Sequence, residues 1–159
     1  MREEFYKVMS ELVKKDEQVY VLSPDFGFPK TTDLIKNHSS HLINTSITEQ
    51  ATVGLASGMA LSGLKPYVIS IVPFLLERAF EQIKLDIVEQ NANVKLIGYW
   101  DYPTAGVTHF TKDVEGLCRI LGIKLYRPES PMQTRSMLSE AYESKEPAFF
   151  YLAKSKTPK

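Results

Sequence analysis

One cysteine, Cys118, occurs in 159 residues, so no internal disulfide can brace the chain, and a lone thiol fits a reducing compartment such as the cytoplasm. Neither sign of charge is in excess: 19 basic side chains are matched by 19 acidic ones, and their interspersion leaves no basic block for nucleic acid or anionic lipid. Long apolar runs are missing too. The longest, "PYVISIVPFLL", has eleven residues and two prolines, too short to span a bilayer. The opening "MREEFYKVMSELVKKDE" reads as a charged amphipathic helix rather than a secretory signal. No G-x-G-x-x-G or G-x-x-x-x-G-K-[ST] turn follows the first strand to bring backbone amides against phosphate. "SPDFG" stands there instead and reads as a turn. H-E-x-x-H, C-x-x-C and G-x-S-x-G are also missing, which removes support for zinc hydrolysis and α/β-hydrolase chemistry. No residue is assigned to a metal. His38 and His41, in a polar stretch, read as solvated.

What is present suffices for a core. The chain is 43% hydrophobic, and a chain of this size buries roughly 70% of its unfolded surface. No repeat or linker divides it, so 1–159 reads as a single domain. Helical spacing over 2–15 gives way to a strand at 19–22, then to a short helix at 31–38 and a strand at 41–44. A helix rich in small residues runs from Ser46 and is closed by Gly63, followed by a strand at 66–71. Leu76, Phe80, Ile83 and Ile87 form an apolar stripe that predicts an amphipathic helix over 74–90. Strands at 94–100, 123–127 and 148–153 alternate with helices ending at 121 and spanning 131–144. Continuous apolar strands alternating with helices predict an α/β fold, a three-layer α/β/α sandwich with a mostly parallel sheet. Ligands then bind beyond the carboxyl ends of the strands, which directs attention to "SPDFGFPK", "NTSITEQ", "IVPF" and "WDYPTAGVTHF".

Glu49 in "NTSITEQ" has two readings. Ser46 and Glu49 read S-x-x-E before a helix, the pattern of a capping box in which hydroxyl and carboxylate each take a backbone amide. A carboxyl group at the ligand-binding edge is also a candidate catalyst. The helix that follows carries Gly54 and Gly58 one turn apart beside Ala51, Ala56, Ser57 and Ala60. Such a face admits close approach of another backbone, either in the parent sheet or in a second subunit.

The order of pieces "NTSITEQATVGLASGMALSGLKPYVISIVPFLLERAFEQIKLDIVEQNANVKLIG", then "GVTHF", resembles the pyrimidine-binding domain of transketolase-like, thiamine diphosphate-dependent enzymes, including deoxyxylulose phosphate synthase. The likeness runs from about Val19 to the C-terminus and is densest between Asn44 and Gly98. It implies that Glu49 hydrogen-bonds N1′ of the cofactor's aminopyrimidine, enabling the exocyclic nitrogen to deprotonate C2 of the thiazolium. For that task the carboxyl group must be withdrawn from solvent, with burial and the helix N-terminus acting on its charge in opposite senses. The resemblance also implies that Phe74 stacks on the aminopyrimidine, that Ile71 forms an aliphatic wall where relatives have another aromatic, and that His109 faces substrate near the reactive carbon. The alternative reading of Phe74 is a core aromatic, and that of His109 a loop histidine capping nearby backbone.

Arg78 lies one place later than the substrate-binding arginine of deoxyxylulose phosphate synthases, so that role is not carried over. Relatives have an acid where this chain has Ala105, and Asp101 is no obvious substitute; Tyr99, Trp100 and Tyr102 either make the pocket aromatic or pack the loop. The family's diphosphate-binding domain with its G-D-G…N motif, and its C-terminal domain, are absent from the sequence. The resemblance therefore implies the pyrimidine-binding subunit of a split transferase. A partner subunit would hold Mg²⁺ and the diphosphate, a homodimer or heterotetramer would form, and a sugar or keto compound would be the substrate. The competing reading is a non-catalytic interaction domain of the same fold.

Overall fold

Apolar runs become interior strands here because both faces of the sheet are covered. The computed structural model describes residues 1–24, 37–100 and 105–153. Strands β1 (Val19–Ser23), β2 (Leu42–Asn44), β3 (Lys65–Ile71), β4 (Lys95–Tyr99), β5 (Lys124–Tyr126) and β6 (Ala148–Leu152) form one sheet in the order β2-β1-β3-β4-β6-β5. Every pairing among them is parallel. This is the expected α/β sandwich. The expected helix at 31–38 and the "DFG" turn lie largely outside the described residues.

Helices α1 (Arg2–Lys15) and α4 (Pro131–Glu143) cover one face. Phe5, Met9 and Val13 pack there with Leu138 and Ala141 against Tyr67, Ile69, Ile97 and Phe150. Helices α2 (Glu49–Leu61) and α3 (Val114–Leu121) cover the other face with the helical segment 73–88. Val53, Leu75, Leu76, Ile83, Ile87 and Cys118 pack there on Val68, Leu96 and Phe149. Each such buried aliphatic side chain contributes roughly 1.5–3 kcal/mol. The alternation along β3 and β4, with odd residues toward α1 and even ones toward α2, also explains Tyr99. It packs edge-on against Phe5 with ring centroids 6.4 Å apart, so it belongs to the core and not to the pocket. Burial pushes the Cys118 thiol up to about 12, which makes it an inert core group. No helix among the described residues is long and apolar enough to cross a membrane.

The stripe at 74–90 does form a buried helical face, but two parts of it are π-helical, Pro73–Glu77 and Ile83–Val88. The amide of Arg78 donates to the carbonyl of Pro73 and that of Glu89 to Lys84, both at 3.0 Å. These i→i+5 bonds place one more residue in a turn than an α-helix does. At the end of α2, Gly63 takes φ 92°, and the amide of Leu64 reaches back to the carbonyl of Met59, a left-handed glycine closing the helix as its position in the sequence implies.

His41 is not simply solvated. Its Nδ1 is 2.9 Å from the carbonyl of Val19 and its ring packs on Tyr20 at 5.0 Å; His38, like His41, is half-buried.

Candidate functional site

Glu49 opens the helix that follows β2, at the carboxyl edge of the sheet, where Ser70 near the end of β3 approaches its carboxylate. The predicted capping box is not formed. Ser46 adopts φ 56°, and its amide donates to Asn44 Oδ1 at 2.7 Å. The helix instead starts after Thr48, whose side chain makes no cap bond and donates to the carbonyl of Thr45. Glu49 is thereby the first helical residue rather than the third. Its side chain turns inward and is only 2% exposed. A left-handed non-glycine residue costs about 1 kcal/mol or more and tends to occur beside functional groups; here it sets the angle at which the carboxylate enters the protein.

Two groups meet that carboxylate. Arg78 Nη1 donates to Glu49 Oε2 at 2.6 Å, and Ser70 Oγ lies 3.5 Å from Oε1. Ser70 belongs to the even, α2-facing side of β3, directly beside Gly98 in register. A Cβ at Gly98 would lie 2.5 Å from Phe149 Cζ and 2.9 Å from Val72 Cγ2, so only glycine lets the layers close at that point.

Phe74 and Arg78 share one side of the π turn. The Arg78 guanidinium stacks 4.2 Å above the Phe74 ring centre, a cation–π geometry. His109, in the short 3₁₀ turn Val107–His109, meets Phe74 edge-on with centroids 4.9 Å apart. Thr108 Oγ1 is 3.0 Å from its Nδ1. Glu49, Arg78, Phe74 and His109 are thus a continuous chain of contacts built from three separate segments. Phe74 is half-buried and belongs to neither core cluster, which argues against an ordinary core role. Ile71 ends β3 at the same edge, half-buried beside Tyr99 in register. Trp100 lines a cleft with Val72, Pro73, His109, Phe110 and Tyr151. Ala105 is exposed; Asp101 and Tyr102 lie outside the described residues.

Arg78 is the residue that sequence reasoning missed. The only signal was its one-place offset, and a π turn takes up one residue of extra length. Nothing local reveals that residue 78 will meet residue 49.

The small-residue face of α2 divides in two. Ser57 Oγ donates to the carbonyl of Asp86 at 2.5 Å, and a Cβ on Gly54 would make an ordinary 3.7 Å contact with Asp86. A Cβ on Gly58 would meet nothing within 4 Å, so close packing on the parent sheet does not account for that glycine. Leu55 on the same helix is exposed, as is Ile47 just ahead of the helix start.

A site of this form can hold a flat, N–H-bearing ring: a buried carboxylate for its edge, an aromatic face for its plane and a histidine at the rim. The family model "Transketolase, pyrimidine binding domain" matches residues 1–159. An apulose-4-phosphate transketolase subunit of Actinobacillus succinogenes is 33% identical over 144 residues, 88% of this chain and 46% of that protein. The protein of the same name from Phocaeicola vulgatus is 27% identical, covering 99% of this chain and 52% of its own. A solved structure described as a split gene transketolase, inactive beta4 tetramer, superposes with a TM-score of 0.88 at 28% identity, covering 99% of this chain and 52% of that one. The chain spans about half the length of the curated relatives it matches.

Proposed function

Since this chain belongs to the transketolase pyrimidine-binding domain family, we propose that it is the pyrimidine-binding subunit of a split, thiamine diphosphate-dependent transferase. One observation carries the reading: a carboxylate 2% exposed at the carboxyl edge of a parallel sheet, with a flat cation seated between it and an aromatic face. The residues present therefore fit the aminopyrimidine half of the cofactor. When bound, thiamine diphosphate supplies the nucleophilic carbon and the electron sink for carbon–carbon cleavage and transfer.

Glu49 would hold a proton at N1′ of the ring, in a pocket where water does not compete for it. Phe74 would fix the plane of the ring, and Ile71 would close its other side as an aliphatic wall. His109, at the rim, would donate or accept the proton at the substrate's oxygen. In this reading residues 1–159 act as one domain. The diphosphate and Mg²⁺ are held by a partner subunit with a G-D-G…N motif, within a homodimer or heterotetramer that works in the cytoplasm on a sugar or keto substrate. The exposed Ile47, Leu55 and Gly58 offer the partner an apolar face.

The test is reconstitution. The chain is recovered with its partners from its own cells, a partner bearing G-D-G…N is identified, and the two are mixed. Thiamine diphosphate-dependent transfer from a ketose to an aldehyde by the mixture, with neither chain active alone, supports the reading. Reliable recovery of partners that all lack the motif would replace it with a non-catalytic interaction domain.

A further inference from the structure

Arg78 occupies the two groups that a bound aminopyrimidine would need. Its Nη1 donates to Glu49 Oε2 at 2.6 Å, and its guanidinium covers the Phe74 ring at 4.2 Å. A guanidinium and an aminopyrimidine protonated on a ring nitrogen are both flat, delocalised cations with N–H donors in their plane. A ring that bonded Glu49 Oε2 while stacked on the face of Phe74 that Arg78 covers would occupy the space of the guanidinium. Both cannot be there at once.

We infer that Arg78 is an internal stand-in for the cofactor's aminopyrimidine, holding the site until the ring displaces it. The inference rests on the reading of Glu49 and Phe74 as the pyrimidine site. Its physical basis is the asymmetry of the pair: the Glu49 side chain is 3% exposed and that of Arg78 is 41% exposed. A buried carboxylate without a partner is strongly disfavoured, so the empty site keeps one. Arg78 can return its guanidinium to water when the ring arrives, because its outer part is already there. One flat cation replaces another, and Glu49 is never left unpaired. The remaining contact, Ser70 Oγ at 3.5 Å from Oε1, is too long to hold the carboxylate alone.

A stand-in competes, and competition lowers apparent affinity by the fraction of molecules in which the site is open. The experiment is an NMR titration of the chain with the pyrimidine half alone, 4-amino-5-hydroxymethyl-2-methylpyrimidine. It uses wild type, Arg78→Ala, Arg78→Lys and Glu49→Gln. Arg78→Ala should bind about tenfold tighter than wild type. Arg78→Lys keeps the charge but loses the flat fork, so it should bind about threefold tighter, and it carries the test if the alanine variant does not fold. In wild type, the Arg78 Nε–H signal should leave its ring-current-shifted position as ligand is added. If both variants bind no tighter than wild type while Glu49→Gln abolishes binding, the stand-in is overturned and the pyrimidine site survives. If no chain binds the ring, both fall.

Discussion

Glu49 and Lys95 are each 2% exposed, lie at opposite ends of one sheet, and are held in opposite ways. Lys95 Nζ, at the start of β4, donates to the carbonyls of Glu146 at 2.6 Å and Ser144 at 3.1 Å and to Asn93 Oδ1 at 2.5 Å. Burial pushes its ammonium down to about 8, with Glu146 acting the other way, so it is still largely charged at neutral pH. Backbone oxygens cannot swing aside. Glu49 has one strong partner among the described residues, the tip of a long and partly exposed side chain. A buried charge held by main chain acts as a rivet, whereas one held by a displaceable side chain marks a place where something else can bind.

The contrast predicts a division between activity and stability. Glu49→Gln should reduce the rate of the reconstituted enzyme by about 100-fold or more while changing the unfolding free energy by only about 1 kcal/mol, since the neutral amide needs no charged partner and the 41% exposed Arg78 side chain can return to water. Unaltered turnover in a steady-state assay would erase the distinction between the two ends. Lys95→Met should do the reverse. It strands the carbonyls of Ser144 and Glu146 and should lower stability by about 2 kcal/mol in urea denaturation, leaving the rate per folded molecule unchanged. His109→Gln, back at the catalytic edge, should slow turnover about tenfold with no shift in the urea midpoint.

The smallest effect belongs to Asp16, also at the amino edge. Burial acts to raise its pKa, but the Lys65 ammonium, the Gln18 amide and the Tyr142 hydroxyl together hold it down at about 2. The folded value lies below the unfolded one of roughly 3.9, so its stabilisation is present above about pH 4 and lost as the pH falls through about 2. Asp16→Asn should flatten that acid limb. At neutral pH it should cost about 1 kcal/mol, a figure reduced for solvent screening of a surface pair, as measured by thermal unfolding across pH.

Most of the fold was legible because it follows local rules. Strands buried on both faces read as apolar runs, Gly63 closed its helix, and Ser130 caps α4 by accepting the amide of Gln133. The π turns were not legible, since Leu76, Ile83 and Ile87 keep a buried stripe whichever carbonyl each amide reaches. Ser46 and Glu49 matched the capping pattern, yet the left-handed backbone at Ser46 moved the helix start by two residues. Glu49, Phe74 and His109 could be named from the ordered motifs. The link from Glu49 to Phe74 through Arg78 could not, because the Glu49–Arg78 contact spans 29 residues and depends on how the sheet edge is assembled.

The strand order has a consequence for synthesis. Strand β6 lies between β4 and β5, and Lys95 aligns with Ala148, 53 positions later (148 − 95). At translation rates of about 5–20 residues per second, one edge of β4 waits roughly 3–10 s for its neighbour. Leu96 and Ile97 then belong to an unpaired apolar strand of the kind that joins other nascent chains. Chaperones at the ribosome would shield that edge of β4 in the interval before β6 emerges.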